Sequence, residues 1–182
     1  MSSKAPARSG GLPPAARQRP RADLAALVRK IGSIPFEVSE TRTDVDVRIA
    51  PEHLLALVDA LHNRHELAFD YLRNISGVDQ SPEGMELKYH FYSFKTGYAL
   101  QVTVPTATGH PHVPSLTGHY PAADWHEREA AEMFGFVFDG HPNLRNLLLE
   151  EDIHIHPLLK AHPLQAAEIL QGIESGPPGF TI

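Results

Sequence analysis

Histidine is the residue type with the most obvious capacity for chemistry, because the chain has 12 histidines and no cysteine. Two groups have a spacing that could bring ligands together, His62 with His65 and His154 with His156. The first pair is three residues apart on a predicted helix, a separation that can chelate a metal, but it has no carboxylate at a fixed companion spacing. The second pair alternates, so its rings point to opposite faces of an extended segment. A free-standing histidine-dependent metalloenzyme is therefore an alternative to the interpretation that follows.

The stretch that begins at His126 resembles the start of a zinc-protease helix. That motif requires a second histidine four residues after the first, and Ala130 occupies this position. No glycine-rich phosphate loop and no nucleophile-elbow sequence occurs either, so nucleotide binding and hydrolase chemistry have no support. We predict no catalytic, cofactor-binding or metal-binding residue on this chain.

Glu127, Arg128, Glu129 and Glu132 form the densest group of charged residues near this point. Three consecutive helical positions spread over about 200°, so their side chains do not converge on one substrate atom. We expect a structural role instead, in which Glu129 or Glu132 is half-buried beside Trp125. An arginine must then satisfy the carboxylate: Arg128, Arg145 or one from another subunit.

Composition limits the remaining chemistry. Without cysteine the chain lacks the usual ligands of iron–sulfur clusters and structural zinc, so any electrons would travel through a partner. No apolar run approaches the roughly 20 residues that span a bilayer, and no signal-peptide core is seen, so we expect a cytoplasmic protein with indirect membrane contact. The basic stretch over 1–21 holds five cations and no acid, which leaves the rest strongly acidic and unsuited to nucleic acid.

The elements of the first half follow from hydrophobic periodicity. Apolar residues at helical spacing predict helices from Asp23 to Gly32 and from Pro51 to about Glu66. Strict alternation predicts strands, and two of these form a hairpin with Gly97 at the turn. The first predicted strand begins at Phe36. The others cover 44–49, 69–75, 85–92 and 98–104, and Ser76-Gly77 marks the end of the strand over 69–75.

The second half continues with a proline-rich loop over 105–121 and a helix over 124–134. Asp124 is predicted as the N-cap and Gly135 as the residue that ends the helix. Phe136–Phe138 reads as a short strand, and Gly140 permits the turn that follows. The fold class is therefore α+β: a mostly antiparallel sheet with helices on one face, plus an extended C-terminal segment.

Three regions are predicted along the chain: a disordered basic arm over 1–20, an α+β domain over 21–138, and an extended partner-binding segment and tail over 139–182. Four leucines stand out in the last region, at positions 144, 147, 148 and 149. They are either buried in the core of this domain or exposed as a patch for another protein, with Arg145 and the acids at 150–152 as a polar rim.

One ordered set of motifs resembles a known family, the thirty-kilodalton subunit of respiratory complex I, which is the C subunit of the bacterial NADH–quinone oxidoreductase. The resemblance covers about 50–165 and is sharp from 125 to 163. The matching pieces are Glu127-Arg128-Glu129, Phe134-Gly135-Phe136, Gly140-His141-Pro142, Leu144-Arg145, Glu150-Glu151-Asp152, His156-Pro157-Leu158, Lys160 and Pro163. The family usually has Arg and Asp where this chain has Leu159 and Ala161, so the contacts of those two groups are absent.

The resemblance implies a cofactor-free scaffold subunit of the peripheral arm. It would pack on the large subunit, of the forty-nine-kilodalton type, and on neighbouring iron–sulfur subunits, at the inner face of the cell membrane, and support quinone reduction coupled to ion translocation. The resemblance implies that the partners carry iron–sulfur clusters. They would also carry either flavin and quinone or, in a hydrogenase, a nickel–iron site. The equivalent subunit of an energy-converting nickel–iron hydrogenase or formate hydrogenlyase is the alternative. The predicted partner-interface residues are Trp125, Glu127, Arg128, Glu129, Glu132, Phe134, Gly140, His141, Pro142, Leu144, Arg145, His156, Pro157 and Lys160.

Overall fold

The computed structural model describes residues 21–40, 45–107, 109, 111–150 and 155–162. The predicted basic arm over 1–20 and the tail over 163–182 lie outside the described residues. The elements, in chain order, are α1 (Arg21–Arg29), β1 (Glu37–Glu40), β2 (Val45–Arg48), a 3-10 turn (Pro51–His53), α2 (Leu54–Asn63), β3 (Tyr71–Asp79), β4 (Met85–Tyr92), β5 (Ala99–Thr106), β6 (His112–Pro114), α3 (Ala123–Phe134) and β7 (Val137–Asp139).

Five strands form the main sheet in the order β1-β2-β5-β4-β3. All neighbouring pairs are antiparallel except β2 with β5, which are parallel. The predicted hairpin is confirmed, because β4 and β5 pair from Met85 to Tyr92, and Gly97 in the turn has φ +74°. The architecture confirms the predicted α+β class with a mostly antiparallel sheet.

One face of this sheet is apolar and carries the core. Val47, Val102, Tyr89 and Ile75 lie side by side across four strands, and each is at most 4% exposed. Helix α2 buries Leu54, Leu57, Val58 and Leu61 in the same core, and α1 adds Leu24 and Val28. The helices therefore cover the face on which the alternating apolar residues lie, as their periodicity predicts.

The opposite face of the sheet is polar, and its side chains pair with one another. Asp46 accepts hydrogen bonds from Gln101 and Thr103 at 3.0 and 2.8 Å. Arg48 donates to Glu86 at 2.7 Å, and the carboxylate of Glu86 is mostly buried. These residues occupy the alternate positions of β2, β4 and β5, so the polar face follows from the same period of two.

Two strands, β6 and β3, differ from the sequence predictions. The 105–121 segment is not wholly irregular, because β6 pairs in parallel with β7. Strand β3 continues through Ser76 and Gly77 to Asp79, and does not end there as predicted. Gly77 has a packing role within the strand and does not mark its end. A Cβ at this position would lie 2.4 Å from Cδ2 of Phe134, so glycine allows α3 to approach the strand.

Helix α3 begins one residue before the predicted N-cap. Ala122 precedes the helix without a side-chain cap, and Asp124 lies in the first turn. The turn itself satisfies the first amides, because Ala123 and Asp124 donate to the carbonyls of Tyr120 and Pro121. The predicted end is confirmed, since Gly135 adopts φ +80° and donates to Ala131.

Candidate functional site

Helix α3 positions most of the predicted site residues, and it sorts them between the interior and the surface. Glu127 and Glu132 are buried, whereas Glu129 is exposed and Trp125 is 65% exposed. Of the two carboxylates between which the sequence left the choice open, Glu132 is therefore the buried one and Glu129 is exposed. The carboxylate that sequence reasoning missed is Glu127, whose side chain is fully enclosed.

Glu127 joins α3 to the segment that follows β6. Its carboxylate accepts from the Ser115 hydroxyl and from the Leu116 amide, each at 2.6 Å. Burial raises the pKa of Glu127, and these two hydrogen bonds oppose the rise. The side chain is thus turned away from solvent.

His141 is enclosed beside this carboxylate. Its Nε2 lies 3.1 Å from the carbonyl of Asp124 and 3.3 Å from the side-chain oxygen of the same residue. Nδ1 accepts a hydrogen bond from the Asn143 amide at 3.0 Å. Because Nδ1 accepts the Asn143 amide, Nε2 is the ring nitrogen that can donate to the Asp124 carbonyl. The side-chain Oδ1 of Asp124 has no hydrogen-bond partner among the described residues. Gly140 makes the turn before it with φ +85°, as predicted, and Pro142 after it is exposed.

Glu132 holds a different segment, the one that contains the leucines. Its carboxylate accepts from the amides of Leu147 at 2.9 Å and Leu148 at 3.1 Å, and also from the amide of Leu149. Burial alone would raise the pKa of Glu132, but these amide donors and the nearby Arg128 guanidinium lower it. The partner of this buried carboxylate is therefore chiefly backbone rather than the predicted arginine side chain.

Arg128 binds the same segment through its carbonyl groups. Its Nε donates to the carbonyl of Arg145 at 2.9 Å, and an Nη donates to that of Asn146 at 2.7 Å. One turn of α3 thus supplies a cation for two carbonyls and an anion for three amides. We call residues 144–149, held in this way, the clamped segment.

The clamped segment turns two of its leucines outward. Leu148 is 64% exposed and Leu144 is 40% exposed, whereas Leu147 and Leu149 are half-buried. Burial of all four leucines in the core of this chain, one of the two alternatives, is therefore wrong for Leu144 and Leu148. Val137 and Ile155 are also exposed large apolar residues near this segment.

Val137, Leu144, Arg145 and Ile155 share an open cavity of about 320 Å³. Arg128 and Glu132 line its floor together with His156. The guanidinium of Arg145 has no hydrogen-bond or ion-pair partner within the described ranges. We give the name docking surface to Val137, Leu144, Arg145 and Ile155 of this cavity together with Leu148 of the clamped segment: four exposed apolar side chains and one exposed cation.

The 155–162 segment packs against the end of α3. His156 Nδ1 lies 2.9 Å from the carbonyl of Glu132, and the amide of Leu158, after Pro157, donates to Met133 at 3.1 Å. The Lys160 amide donates to Asp79 at 2.9 Å. The Ser81 hydroxyl, with the amides of Lys160 and Ser81, lowers the pKa of Asp79 to about 2.

The histidines do not assemble into a metal site in the part of the chain that is described, where no three His, Cys, Asp or Glu residues share a site. His62 packs edge-on against Tyr120, with ring centroids 5.8 Å apart. His154 lies outside the described residues. None of the helices in the described ranges combines the length and hydropathy needed to span a bilayer.

Comparison with known proteins shows similarity to C subunits of NADH-quinone oxidoreductases. This chain is 40% identical to the C subunit of the NADH-quinone oxidoreductase of Roseiflexus sp. (strain RS-1) over 134 residues, which are 72% of this chain and 76% of the relative. It is 35% identical to the C subunit of the same oxidoreductase of Salinispora arenicola (strain CNS-205) over 141 residues, or 75% of this chain and 58% of that one.

Two solved structures share the fold. A trypsin-resistant fragment of Nqo5 superimposes with a TM-score of 0.57 at 23% identity, and covers 68% of this chain and 98% of the fragment. A chain of a membrane-bound sulfane sulfur reductase, an archaeal respiratory membrane complex, gives a TM-score of 0.66 at 19% identity, with coverage of 88% and 95%.

One protein family matches most of the chain, including most of the main sheet and the α3 region. Residues 47–168 match the family described as the respiratory-chain NADH dehydrogenase, 30 Kd subunit. This range includes the buried pair Glu127 and Glu132, the clamped segment and the docking surface. The chain therefore belongs to the family of this subunit of the respiratory-chain NADH dehydrogenase.

Proposed function

We propose that this chain is a cofactor-free scaffold subunit of the peripheral arm of a complex I-like NADH–quinone oxidoreductase. In this role it packs on the large subunit, of the forty-nine-kilodalton type, and on neighbouring iron–sulfur subunits at the inner face of the membrane. The observation that carries the proposal is the docking surface, because the contacts of α3 with the clamped segment leave Leu148 and Leu144 exposed to water.

The composition of the docking surface suits a protein partner. Exposed large apolar groups that lie together mark interaction sites, and arginine is enriched at such sites. Arg145 is exposed beside these apolar groups, so a carboxylate or carbonyl of a partner that covers the surface would pair with it. Trp125, 65% exposed on α3, adds an aromatic contact point of the kind that interfaces favour.

The redox groups belong to the partners in this proposal. The chain lacks cysteine, so iron–sulfur clusters, together with flavin and quinone, are assigned to the neighbouring subunits. Electron transfer to quinone and the ion translocation coupled to it then need this chain for assembly and positioning. The names of its relatives support only the type of complex, an NADH-quinone oxidoreductase.

The equivalent subunit of an energy-converting nickel–iron hydrogenase is the second candidate. The observation that favours it is the pair Leu159 and Ala161, where the respiratory family usually has Arg and Asp. Hydrogen production by the purified assembly, in place of NADH oxidation, would select this candidate.

The proposal is tested by purification of the full-length chain through a tag, followed by mass spectrometry of the proteins recovered with it. We expect the wild-type chain to recover the large subunit, and Leu148→Asp or Arg145→Glu to recover it at least about tenfold less, a loss of roughly 1.4 kcal/mol in binding. Leu55→Asp is the matched control, because Leu55 is also exposed, at 38%, but lies on α2. A monomer with stoichiometric metal, or unchanged recovery by both variants, would disprove the proposal.

A further inference from the structure

Strand β3 leaves a long edge of the main sheet open. It is the last strand of the sheet, it is nine residues long, and it pairs only with β4 among the described strands. Alternate backbone amides and carbonyls of an edge strand point away from the sheet and can pair with another chain. Such edges are usually shortened or covered, so an open edge of this length needs an explanation.

A groove runs beside this edge, between β3 and α3. It has a volume of about 260 Å³ and is walled by Asn74 to Gly77 on the strand side. On the helix side it is lined by Ala130, Met133 and Phe134, with the side chain of Leu158 at one end. Leu158 is 49% exposed, so the groove offers apolar contact to a side chain that enters from the strand edge.

Exposed aromatic residues lie at the other end of β3. Phe94 is 71% exposed and Tyr71, the first residue of β3, is 44% exposed. Their ring centroids are 5.4 Å apart, and Tyr92 contacts Phe94 at 5.2 Å. Tyr71 and Tyr92 are opposite one another in the β3–β4 register. An added strand alternates its side chains between the two faces, so it could reach both the groove and this cluster.

The residues that line the groove indicate what kind of segment would bind there. Glu129 is the one charged residue among those that line it, and it is exposed. A matching segment is therefore apolar at alternate positions and carries a Lys or Arg opposite Glu129. Residues 163–182 of this chain do not meet this description, because they contain no cation, have Glu168 and Glu174, and are interrupted by several prolines and glycines.

We propose that β3 accepts an extended segment of a partner subunit as a sixth strand, with apolar side chains in the groove and a basic residue at Glu129. The inference rests on the proposed function, because it assigns a second contact to the same assembly. It differs from the docking surface in kind: backbone pairing supplies the contact here, and alternate side chains supply selectivity.

The test is residue-resolved hydrogen exchange of β3 in the full-length chain, measured free and in the purified assembly. We expect the amides of β3 that point away from β4, on both sides of the register shift between Leu72 and Asn74, to exchange at least about tenfold more slowly in the assembly, which corresponds to roughly 1.4 kcal/mol of protection. Protection that alternates along the strand indicates pairing, whereas uniform protection indicates simple coverage and overturns the proposal.

The other outcomes are also decisive. If the large subunit is recovered but β3 exchanges as in the free chain, the sixth strand is wrong and the proposed function stands. If β3 becomes protected in the free chain as its concentration rises, a second copy occupies the edge and the proposal is wrong. If no partner is recovered at all, the proposed function itself has failed.

Two variants make the test specific to the groove. Glu129→Lys and Leu158→Asp change exposed side chains, and we expect both to reverse the slow exchange of β3 in the assembly. Glu52→Lys is the matched control, since Glu52 is an exposed acid outside the groove. Reversing the charge at this position should leave the protection of β3 unchanged. Protection that survives both groove variants would overturn the proposed contact.

Discussion

At the scale of single residues, the two buried carboxylates of α3 differ in what they bind. Glu132 accepts three backbone amides, and its pKa is lowered. Glu127 has one amide and one hydroxyl in a fully enclosed position, and its pKa is raised. Burial penalises the charged form of both groups. Three amides and the Arg128 guanidinium outweigh it at Glu132, whereas two donors do not outweigh it at the fully enclosed Glu127, which also lies near the Asp124 carboxylate.

The raised pKa of Glu127 predicts a pH dependence of stability. Below the ordinary value of 4.5 the carboxyl is protonated in both the folded and the unfolded chain. As the pH rises above that value, the unfolded chain ionises first, so the free energy of unfolding falls until the folded-state pKa is passed. We expect Glu127→Gln, which keeps the shape and one acceptor, to gain stability relative to the wild type between pH 4 and pH 8.

Urea unfolding of both proteins across this range measures the effect. Glu129→Gln is the control for the same substitution at an exposed position of the same helix. A wild-type stability that follows the Glu127→Gln variant in parallel over the whole range would contradict the prediction.

At the scale of elements, the pairing of α3 with β3 depends on Gly77. The close approach of Phe134 leaves no room for a side chain at this position. We expect Gly77→Ala to lower the free energy of unfolding by about 1–3 kcal/mol, as overpacking does in a well-packed interior. Gly32→Ala should change it by less than about 0.5 kcal/mol, because Gly32 has no neighbour within 4 Å of an added Cβ.

Chemical denaturation of the two variants and of Gly77→Ala combined with Phe134→Leu provides the measurement. The smaller ring partner should restore part of the loss, which a double-mutant cycle detects as a coupling energy. Strictly additive losses would show that the Cβ and the ring do not compete for the same space.

The sequence predicts an element well where its pattern is local. It predicts less well where the strand or side chain that the element contacts lies far away in the same chain. The alternation in β4 and β5 and the glycine at 97 define the hairpin. Strand β6 has only three residues, and β7 lies more than twenty residues later, so no local period reveals their pairing. The same separation hides Glu127, because its partners Ser115 and Leu116 lie in a segment predicted to be loop.

The composition of the candidate site is predictable from the sequence, but its arrangement is not. The charge pattern indicates that Arg128, Glu132 and Arg145 form a group whose members satisfy one another. The side chains of Arg128 and Glu132 instead meet the backbone of the clamped segment, and charge pattern along a helix cannot show which peptide groups of a later segment will face it. The exposure of Leu148 likewise depends on those backbone contacts.

At the scale of the whole molecule, the chain concentrates its exposed apolar residues on one region, around α3 and the segments that follow it. Trp125, Val137, Leu144, Leu148, Ile155 and Leu158 are six of the nine large hydrophobic residues described as exposed. The core of the sheet is complete without them. The described part therefore folds around one centre and offers a second apolar region to a neighbour.

This division predicts that assembly stabilises the chain. A partner that binds only the folded state, present at about 100 times its dissociation constant, adds about 2.7 kcal/mol. For a chain of this size that corresponds to a rise of roughly 5–11 °C in the midpoint of thermal unfolding. Proteolysis of the tagged chain during heating, alone and in the purified assembly, measures the midpoint.

Leu148→Asp separates this effect from the intrinsic stability of the chain. The variant should unfold at the wild-type temperature when isolated, because Leu148 is 64% exposed. At the same partner concentration, an affinity at least about tenfold lower should limit its gain to about 1.4 kcal/mol. Equal midpoints for the isolated and assembled wild type would argue against a binding role for this region.

The clamped segment has one further consequence, for the speed of recognition. Because Arg128 and Glu132 hold its carbonyls and amides in the isolated chain, the leucines need no rearrangement when a companion arrives. A rigid, ready-made contact avoids the entropy loss of ordering a loop during association. Encounter with the companion would then be governed by diffusion and orientation rather than by a slow folding step.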